Sequence, residues 1–441
     1  MKKLVGIMAA VLILTGCANE ASEVFQSPES SEYITVSFSG KPEFGPHSTD
    51  NPSMGFCLGM IYEPLWRMEK DGSVSPVLAE KTVNRGIEVD IYLKEGIKWH
   101  DGSDFVPDDV VYTVALITHG MSVYPRGVMD SAWVSGKHRV TVRLTSPVWE
   151  PERIFTFPVV KNGAPLHLTE PVGTGMYKFV RKNGFDTYLF ETAEPGSGLK
   201  LRMIRVRDAA RETELFKSGI TDAQFVSNVN LIDYIPLESS EIIKYPTNHM
   251  IYIGFNLQTV SPNLRRALFY ALDTGNIAEE AFGENAKGTV VPYLSENSFL
   301  YKHLPNLPLS RSELKAGQLI SRGGRLFSGS KAVILKIGVS LGEGHSRVAD
   351  AVCEVLAGMG AACVTEEWKP ESSEVYDIVI GTDTPPELFE KYPGFGSYVK
   401  HMFHNDFFSN IPFIPVAFRC NAVFISGNTG KFPGDFPLFF W

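Results

Sequence analysis

Residues 97–110 read IKWHDGSDFVPDDV, a stretch that brings four aspartates and one histidine close together in sequence. Such a group could hold a metal ion or act as an acid–base site if its side chains converged on one point. The local pattern predicts a different role. The Asp-Gly-Ser run is typical of a turn, Pro107 suits a first helical position, and Asp108 and Asp109 place negative charge beside the unpaired N–H groups of a helix start. We therefore predict a helix from about Pro107 and structural roles for Asp104 and Asp109.

The composition indicates a folded, acidic protein. The chain has 441 residues, of which 44% are hydrophobic, and its formal net charge is −9. This length is typical of two or three domains, each large enough to bury a core. An acidic balance opposes binding to the phosphate backbone of nucleic acids, so we predict no nucleic-acid partner.

The N-terminus has the pattern of an export signal. Lys2 and Lys3 precede an apolar run, residues 4–14, that is too short for a permanent membrane-spanning helix. The sequence Leu-Thr-Gly-Cys that follows resembles the lipobox of bacterial lipoproteins, which implies cleavage before Cys17 and lipidation of its side chain and amino group. An ordinary signal peptide with an incidental cysteine is the alternative. Residues 17–31 are polar and rich in Ser and Glu, as expected of a flexible tether to a membrane surface.

Periodicity along the rest of the chain indicates a mixture of strands and helices. Apolar and polar residues alternate in residues 87–93 and 137–147, which predicts half-buried strands. The dipeptide Asn183-Gly184 predicts a tight hairpin, because both residues tolerate positive φ angles. Helical spacing follows the capping residue Ser261, and a second helical pattern stops at Gly358 before another strand. Alternating strands and helices predict an α/β lobe in the second half of the chain.

Several motifs together resemble one protein family. The sequence IYEPLWRMEKDGSVSPVLAEKTV, which leads on to IEVDIYLKEGIKWHDGSDFVPDDVVYT, is similar to the solute-binding proteins of the peptide/nickel class of ABC importers. PVGTGMYKF at residues 171–179 resembles the Gly-Thr-Gly loop and strand of that family, and residues 253–283 resemble its most regular helical segment. The similarity runs in order from about residue 33 to residue 283 and continues more weakly to the C-terminal strands.

Three features depart from the family pattern. Val106 lacks the side-chain oxygen of the usual threonine, an omission that costs about 1 kcal/mol where such a cap is used. Met176 replaces the usual proline. Between residues 376 and 411 the chain is several tens of residues shorter than the second lobe of the family, so the resemblance implies a shortened lobe two and a changed pocket.

The resemblance implies an α/β, two-lobed periplasmic-binding-protein-like fold of type II, the peptide-binding class, with an extra subdomain on lobe one. Two crossing strands would join the lobes, with hinge segments near residues 249–256 and 411–419. The implied function is capture of a small solute, foremost a peptide, by hinge closure and its delivery to an ABC permease, without an enzymatic step. The implied divisions are a signal peptide at 1–16, a lipidated tether at 17–31, lobe one at 32–60, 165–252 and 412–441, the extra subdomain at 61–164, and lobe two at 253–411.

The resemblance also implies candidate ligand-binding residues. Asp383 matches the aspartate that meets the α-ammonium group of the peptide in many family members. Thr382 precedes it, at a position where the family commonly has tryptophan. A desolvated carboxylate–ammonium pair would orient a peptide, while exposed backbone groups could bind its main chain. Asp383 could instead cap a helix that begins near Pro385.

Three aromatic residues are further candidates for contact with the ligand. Phe44 and His47 lie in the region where lobe one of the family faces its ligand, although a loop rich in Pro and Gly with one aromatic residue is commonly just packed. Trp368 either lines the pocket or fills the core of lobe two. All three are therefore predicted as ligand-binding residues with a packing alternative.

Functions of other classes are also considered. His401 and His404 have the i, i+3 spacing of helical neighbours, so the protein could bind nickel or a metal chelate, although two histidines make an incomplete ligand set. A family member that has lost its transport partners, or that acts as a sensor, is a second alternative. The sequence has neither a GxSxG nucleophile elbow nor a complete phosphate loop, so we predict no catalytic residue, no cofactor and no resident metal.

The remaining cysteines bear on the redox state of the protein. After Cys17 the chain has Cys57, Cys353, Cys363 and Cys420, without a CxxC pair. We predict free thiols, with a disulfide between Cys353 and Cys363 as the alternative in an oxidising compartment. The predicted protein is a monomer that is anchored through lipidated Cys17 at the outer face of the cytoplasmic membrane.

Overall fold

The computed structural model describes residues 32–427, except residues 50, 70–72, 125–127, 146, 149, 185, 197, 228–230, 232–238, 290–314, 317, 319–332, 369–374 and 384–410. The predicted signal peptide and tether, the lipidation site Cys17, and the histidines His401 and His404 lie outside the described residues.

Strands and helices alternate through the described part of the chain. The strands are β1 (Tyr33–Ser39), β2 (Trp66–Met68), β3 (Val74–Pro76), β4 (Ala79–Asn84), β5 (Glu88–Leu93), β6 (Met129–Gly136), β7 (Arg139–Leu144), β8 (Tyr177–Asn183), β9 (Thr187–Thr192), β10 (Lys200–Val206), β11 (Ala223–Val226), β12 (Ser240–Phe255), β13 (Ala286–Gly288), β14 (Val333–Val339), β15 (Ala361–Glu367), β16 (Ile378–Asp383) and β17 (Phe413–Ser426). The α-helices are α1 (Pro52–Leu58), α2 (Pro107–Thr118), α3 (Ala209–Lys217), α4 (Pro262–Ala271), α5 (Thr274–Phe282) and α6 (Glu343–Gly358), and two 3₁₀ helices span Pro151–Thr156 and Gly283–Asn285.

Helix α2 begins at Pro107, as the sequence predicts. The side chain of Val106 makes no capping hydrogen bond. Its backbone N–H instead donates to the carboxylate of Asp109 at 2.8 Å. In a capping box the side chain of the third helical residue accepts from the backbone N–H of the capping residue, and Asp109 does so here. The N–H of Val106 is therefore hydrogen-bonded although no threonine caps the helix. Ser261 caps α4 as predicted, because its hydroxyl accepts from the N–H of Leu264 at 3.3 Å.

Eleven of the described strands form one mixed sheet, in the order β15-β14-β16-β12-β17-β11-β1-β10-β9-β8, with β13 also paired to β17. The long antiparallel strands β12 and β17 run through both halves of this sheet. Their first and last portions pair with different neighbours: β17 joins β13 from Ala417 to Arg419 and β11 from Ala422 to Ile425. The predicted hairpin between β8 and β9 is confirmed, but Asn183 is the last residue of β8 and pairs with Thr187, so of the two predicted turn residues only Gly184 has a positive φ, of +66°.

We call the region where β12 and β17 pass from one half of the sheet to the other the crossing. The buried apolar residues fall into separate cores on its two sides. One core lies around β1, β9, β10 and α1, and includes Phe38, Phe56 and Phe190. A second lies around β14, β16, α4, α5 and α6, and includes Ile337 and Leu268. Two cores joined by two shared strands give the two lobes of the molecule.

A third core and a second sheet lie within residues 61–164, where the extra subdomain is predicted. The sheet order is β4-β5-β7-β6, all antiparallel, and α2 covers one face of it. His100 connects this part of the chain to the Gly-Thr-Gly loop, because its Nδ1 accepts from the N–H of Gly173 at 3.2 Å and its Nε2 lies 2.8 Å from the carbonyl of Gly175. A Cβ atom on Gly173 would lie 1.8 Å from the carbonyl oxygen of Ile61, so only glycine fits this loop.

The aspartates of residues 97–110 have separate partners, as predicted for structural roles. Asp101 contacts Lys161 and Ser103, and Asp104 forms an exposed ion pair with Lys98. Asp109 is buried and accepts hydrogen bonds from Trp99 Nε1, Val106 N and Asn162 N. Because their partners differ, these carboxylates do not converge on a common point.

The four cysteines within the described part of the chain are free thiols, as predicted. Cys363 on β15 contacts Cys353 on α6, and burial together with this contact raises the pKa of Cys363 to about 12. Among the described helices, none has the length and apolar content needed to cross a membrane.

Candidate ligand-binding cleft

The strand directions place a candidate site where the two lobes meet. On lobe one, β1, β10 and β11 are parallel, and β11 runs antiparallel to β17 so that Val226 is its residue nearest to the crossing. On lobe two, β14, β15 and β16 are parallel, and Asp383 at the end of β16 pairs with Met250. The carboxyl ends of all six strands therefore point towards the crossing strands. In open α/β sheets ligands bind outside such carboxyl ends.

Asp383 lies at this edge in an aromatic environment. Its carboxylate accepts a hydrogen bond of 2.7 Å from the hydroxyl of Tyr252 on β12. Tyr252 and Asp383 lie on the same face of the sheet because Tyr252 pairs with Gly381, two residues before Asp383. The indole of Trp368 covers Gly381, where an added Cβ would lie 2.5 Å from the ring. Asp383 is half-buried, and the bond to Tyr252 positions its carboxylate.

Thr382 faces the opposite side of the sheet from Asp383. Its hydroxyl shares a hydrogen bond of 2.8 Å with Nε2 of His345, in the first turn of α6. His345 is almost fully buried, and burial, with a smaller contribution from the positive charge of Arg419, lowers its pKa to about 4. Thr382 is therefore bonded to a neutral imidazole at neutral pH.

A cavity of about 280 Å³ lies beside the same edge of lobe two. The segment from Val339 to Gly342 after β14 forms one side of it, and the end of β15 forms another. The charged residues that line it are all acidic, namely Asp350, Glu366 and Glu367. The cavity includes residues of α6 and therefore lies towards the face of the sheet that carries Thr382, where its acidic lining is favourable for a positively charged group.

Phe44 lies in the core of lobe one. Its ring has no exposed surface and contacts Phe38, Tyr188 and Phe190 with centroid distances of 4.9–6.1 Å. A ring without exposed surface cannot touch a solute in this arrangement. The packing alternative accounts for Phe44, and we do not include it in the proposed site.

His47 is also buried and connects lobe one to residues of the predicted subdomain. Its Nδ1 lies 2.8 Å from the hydroxyl of Ser122, and its Nε2 lies 2.9 Å from the carbonyl of Pro158. Burial lowers the pKa of His47 to about 4, against a smaller opposing effect of the bond to Pro158. The ring is thus neutral, with Nε2–H donating to Pro158, and it does not reach the edge that carries Asp383 and Thr382.

The low pKa of His47 predicts a loss of stability in mild acid. The unfolded chain takes up a proton at its ordinary pKa of 6.5, whereas the folded protein resists protonation until about pH 4. Stability is therefore complete above pH 6.5 and falls as the pH decreases to about 4, by about 3 kcal/mol for this residue. Urea unfolding at several pH values in this range should show the slope, and His47→Gln should make it shallower. Equal slopes for the two proteins would contradict this assignment.

Sequence reasoning missed Tyr252 and His345, which hold the side chains of Asp383 and Thr382. The alternation in HMIYIGFN indicates a strand, but it does not identify the strand that lies beside it. Trp368, Thr382 and Asp383 come together at the predicted site, whereas Phe44 and His47 do not. No cluster of three or more metal-ligating side chains occurs among the residues that the structure describes.

Comparison with known proteins identifies the family. The sequence profile of "Bacterial extracellular solute-binding proteins, family 5 Middle" matches residues 73–380. The oligopeptide-binding protein AppA of Bacillus subtilis is 23% identical over 363 residues, which are 72% of this chain and 65% of AppA. The glutathione-binding protein GsiB of Escherichia coli K12 is 25% identical over 342 residues, 70% of this chain and 64% of GsiB. The chain thus spans less than two thirds of the length of these relatives.

Solved structures with the same fold cover nearly the whole chain. The ABC transporter substrate-binding protein CtaP of Listeria monocytogenes superposes with a TM-score of 0.67 at 18% identity, over 92% of this chain and 97% of CtaP. NikZ of Campylobacter jejuni, solved in complex with Ni(L-His), gives a TM-score of 0.59 at 17% identity, over 90% and 94% of the two chains. These similarities confirm the two-lobed α/β fold. With the profile match across most of its length, the chain belongs to family 5 of the bacterial extracellular solute-binding proteins.

Proposed function

We propose that this protein is the lipid-anchored substrate-binding component of an ABC importer and that it captures a peptide between its two lobes. The observation that carries the proposal is the position of the Asp383 carboxylate, which Tyr252 holds at the end of β16, at the edge of lobe two next to the crossing strands. Relatives named as oligopeptide- and glutathione-binding proteins support a peptide as the solute.

In this proposal the α-ammonium group of the peptide pairs with Asp383. Trp368 forms an aromatic wall on the same face as the carboxylate, and Thr382 contributes by fixing the end of β16 through its bond to His345 on the opposite face. Closure of the lobes then excludes water from the ion pair, which strengthens it. No bond in the solute is made or broken.

Delivery would follow from closure. The closed pair of lobes presents a shape that an ABC permease in the membrane can distinguish from the open one. Lipidated Cys17 and the tether at residues 17–31 would keep a monomeric body at the outer face of the cytoplasmic membrane, within reach of that permease. A tether of this length and composition has an r.m.s. reach of roughly 20 Å.

Native mass spectrometry of the purified protein tests the nature of the solute directly. We expect a mass excess that corresponds to a peptide, and fragmentation of the released ligand should give its sequence. Peptides added to the ligand-free protein should bind with 1:1 stoichiometry. Recovery of intact added peptides at the end of the incubation is expected for a binding protein, whereas cleaved products would indicate an enzyme.

The same preparation decides between the alternatives. Equilibrium dialysis with Ni²⁺ and free histidine would reveal a metal-chelate binding protein, the alternative that His401 and His404 suggest. Binding of neither peptides nor the chelate would favour a sensory or degenerate family member, and would contradict the proposal.

A further inference from the structure

The ladder between the crossing strands β12 and β17 is irregular at two points, between Pro246 and Met250 and between Ile251 and Tyr252. Pro246 on β12 pairs with Cys420 on β17, and the next pair is Met250 with Phe418. Three residues of β12, from Thr247 to His249, therefore lie opposite Arg419 alone. Before this first bulge the ladder is regular from Ser240 to Pro246, whereas after it only Met250 and Ile251 pair in register before the second shift, which skips Val416 of β17. The bulge also coincides with the place where β17 changes its other neighbour from β13 to β11.

The side chain of Thr247 makes hydrogen bonds within this bulge. Its hydroxyl donates a hydrogen bond of 2.8 Å to the carbonyl of Arg419 on the opposite strand. The same oxygen accepts a hydrogen bond of 3.1 Å from the N–H of His249 on its own strand. Thr247 is 7% exposed, so water competes little for these two bonds. One hydroxyl thus replaces ladder hydrogen bonds that the bulge removes.

We propose that Thr247 is a positioning residue of the hinge, whose hydroxyl fixes the bulge between β12 and β17 and thereby sets the relative orientation of the two lobes. A change in lobe orientation requires backbone rotation within the crossing strands, and regular ladders resist such rotation. The three-residue bulge is the longer of the two irregularities in the ladder between β12 and β17. The side-chain bonds of Thr247 are accordingly the contacts that a rotation must break or rebuild.

Arg419 connects the bulge to the candidate site. Its carbonyl accepts from Thr247, and its guanidinium acts electrostatically on His345, which is bonded to Thr382. Arg419 thus interacts both with the bulge, through its carbonyl, and with the buried imidazole that Thr382 contacts, through its charge.

Amide hydrogen exchange of the mature chain tests the role of the hydroxyl without any ligand. Thr247→Val keeps the shape of the side chain and removes both bonds. We expect the N–H of His249, in peptides that cover residues 247–252, to exchange about tenfold faster, a change that corresponds to the loss of a typical hydrogen bond. Thr247→Ser keeps the hydroxyl and should restore slow exchange.

Thr113 offers a matched control away from the hinge. Its buried hydroxyl also donates to a carbonyl, that of Asp109 at 2.8 Å with that of Val160 at 3.3 Å as a second acceptor, and accepts from the N–H of Val160 at 3.1 Å. Thr113→Val should accelerate exchange near Val160 and leave residues 247–252 unchanged. If Thr247→Ser behaves like Thr247→Val, the effect does not come from the hydroxyl, and the proposal is wrong.

Small-angle X-ray scattering provides the second readout. A hinge role predicts that Thr247→Val changes the interlobe distance distribution of the ligand-free protein, whereas Thr247→Ser and Thr113→Val match the wild type. Faster exchange with an unchanged distribution would show a merely local bond and would overturn the hinge role. The inference rests on the proposed closure of the lobes, but neither readout requires a peptide. Failure to find a peptide ligand therefore leaves this test intact.

Discussion

Replacing Asp383 with alanine or asparagine is expected to abolish measurable peptide binding, or to weaken it by at least about 30-fold, without lowering the melting temperature. Removing one partner of a desolvated charged pair costs about 2–5 kcal/mol, much of which comes from the group that stays buried and unpaired. Here that group is the α-ammonium of the peptide. Calorimetric titration with the peptide found by native mass spectrometry measures the effect.

A chemical change in the peptide provides the complementary test. Acetylation of its N-terminus removes the positive charge and should weaken binding to the wild type by a similar factor. The Asp383→Asn protein should hardly distinguish the two forms of the peptide. Equal discrimination by both proteins would place the ammonium group elsewhere and remove Asp383 from the site.

Asp377 is a suitable control because it lies at the other end of the same strand. Its carboxylate accepts a hydrogen bond of 2.9 Å from the N–H of Lys336, and it is half-buried like Asp383. Asp377→Asn should leave peptide affinity unchanged, since the amino end of β16 faces away from the crossing. Tyr252→Phe should have a small effect on affinity, because it removes a bond that orients Asp383 while the charge remains.

The largest effect on stability is expected from Asp109→Ala. The carboxylate of Asp109 is 2% exposed and accepts from Trp99 Nε1 at 3.0 Å, from Val106 N at 2.8 Å and from Asn162 N at 2.8 Å. The substitution leaves the buried indole N–H of Trp99 and two part-buried backbone N–H groups without their acceptor, and it removes the charge at the start of α2. We expect a loss of about 3–5 kcal/mol in the free energy of unfolding, which urea denaturation followed by tryptophan fluorescence can measure.

Asp104 is the matched control, because it belongs to the same acidic stretch. It forms an ion pair with Lys98, and their side chains are 69% and 55% exposed. Asp104→Ala should change the free energy of unfolding by less than about 1 kcal/mol, as is usual for exposed pairs. The measurements should agree in the presence of a chelator and of divalent metal ions. If Asp109→Ala lowered the free energy of unfolding only in the presence of divalent metal ions, the result would favour a metal site in residues 97–110, which we reject.

Features that depend on neighbouring residues in sequence were predictable. Pro107 and Ser261 mark helix starts, and Asn183-Gly184 marks a hairpin, because capping and turn formation are decided within a few residues. The two-lobed fold followed from the family resemblance, and its crossing strands could be located approximately by the same route.

Features that depend on strand order were not predictable in the same way. Nothing near Asp383 in sequence indicates that Tyr252 lies beside it, since the two residues meet only through the pairing of β16 with β12. The burial of Phe44 depends on β1 and β9, which the loop composition does not reveal. The need for glycine at position 381 comes from the ring of Trp368, which leaves no room for a Cβ atom there.

The late position of β17 in the chain has a consequence for biogenesis. This strand pairs with β11, β12 and β13, which precede it by well over a hundred residues. In the export that we propose, a polypeptide that leaves the channel N-terminus first cannot complete either lobe until residues 413–426 have emerged. Until then the partner strands present open edges that can recruit other chains. We expect newly translocated protein to depend on a holdase or foldase at the membrane, and a nick before Phe413 to leave an aggregation-prone remnant.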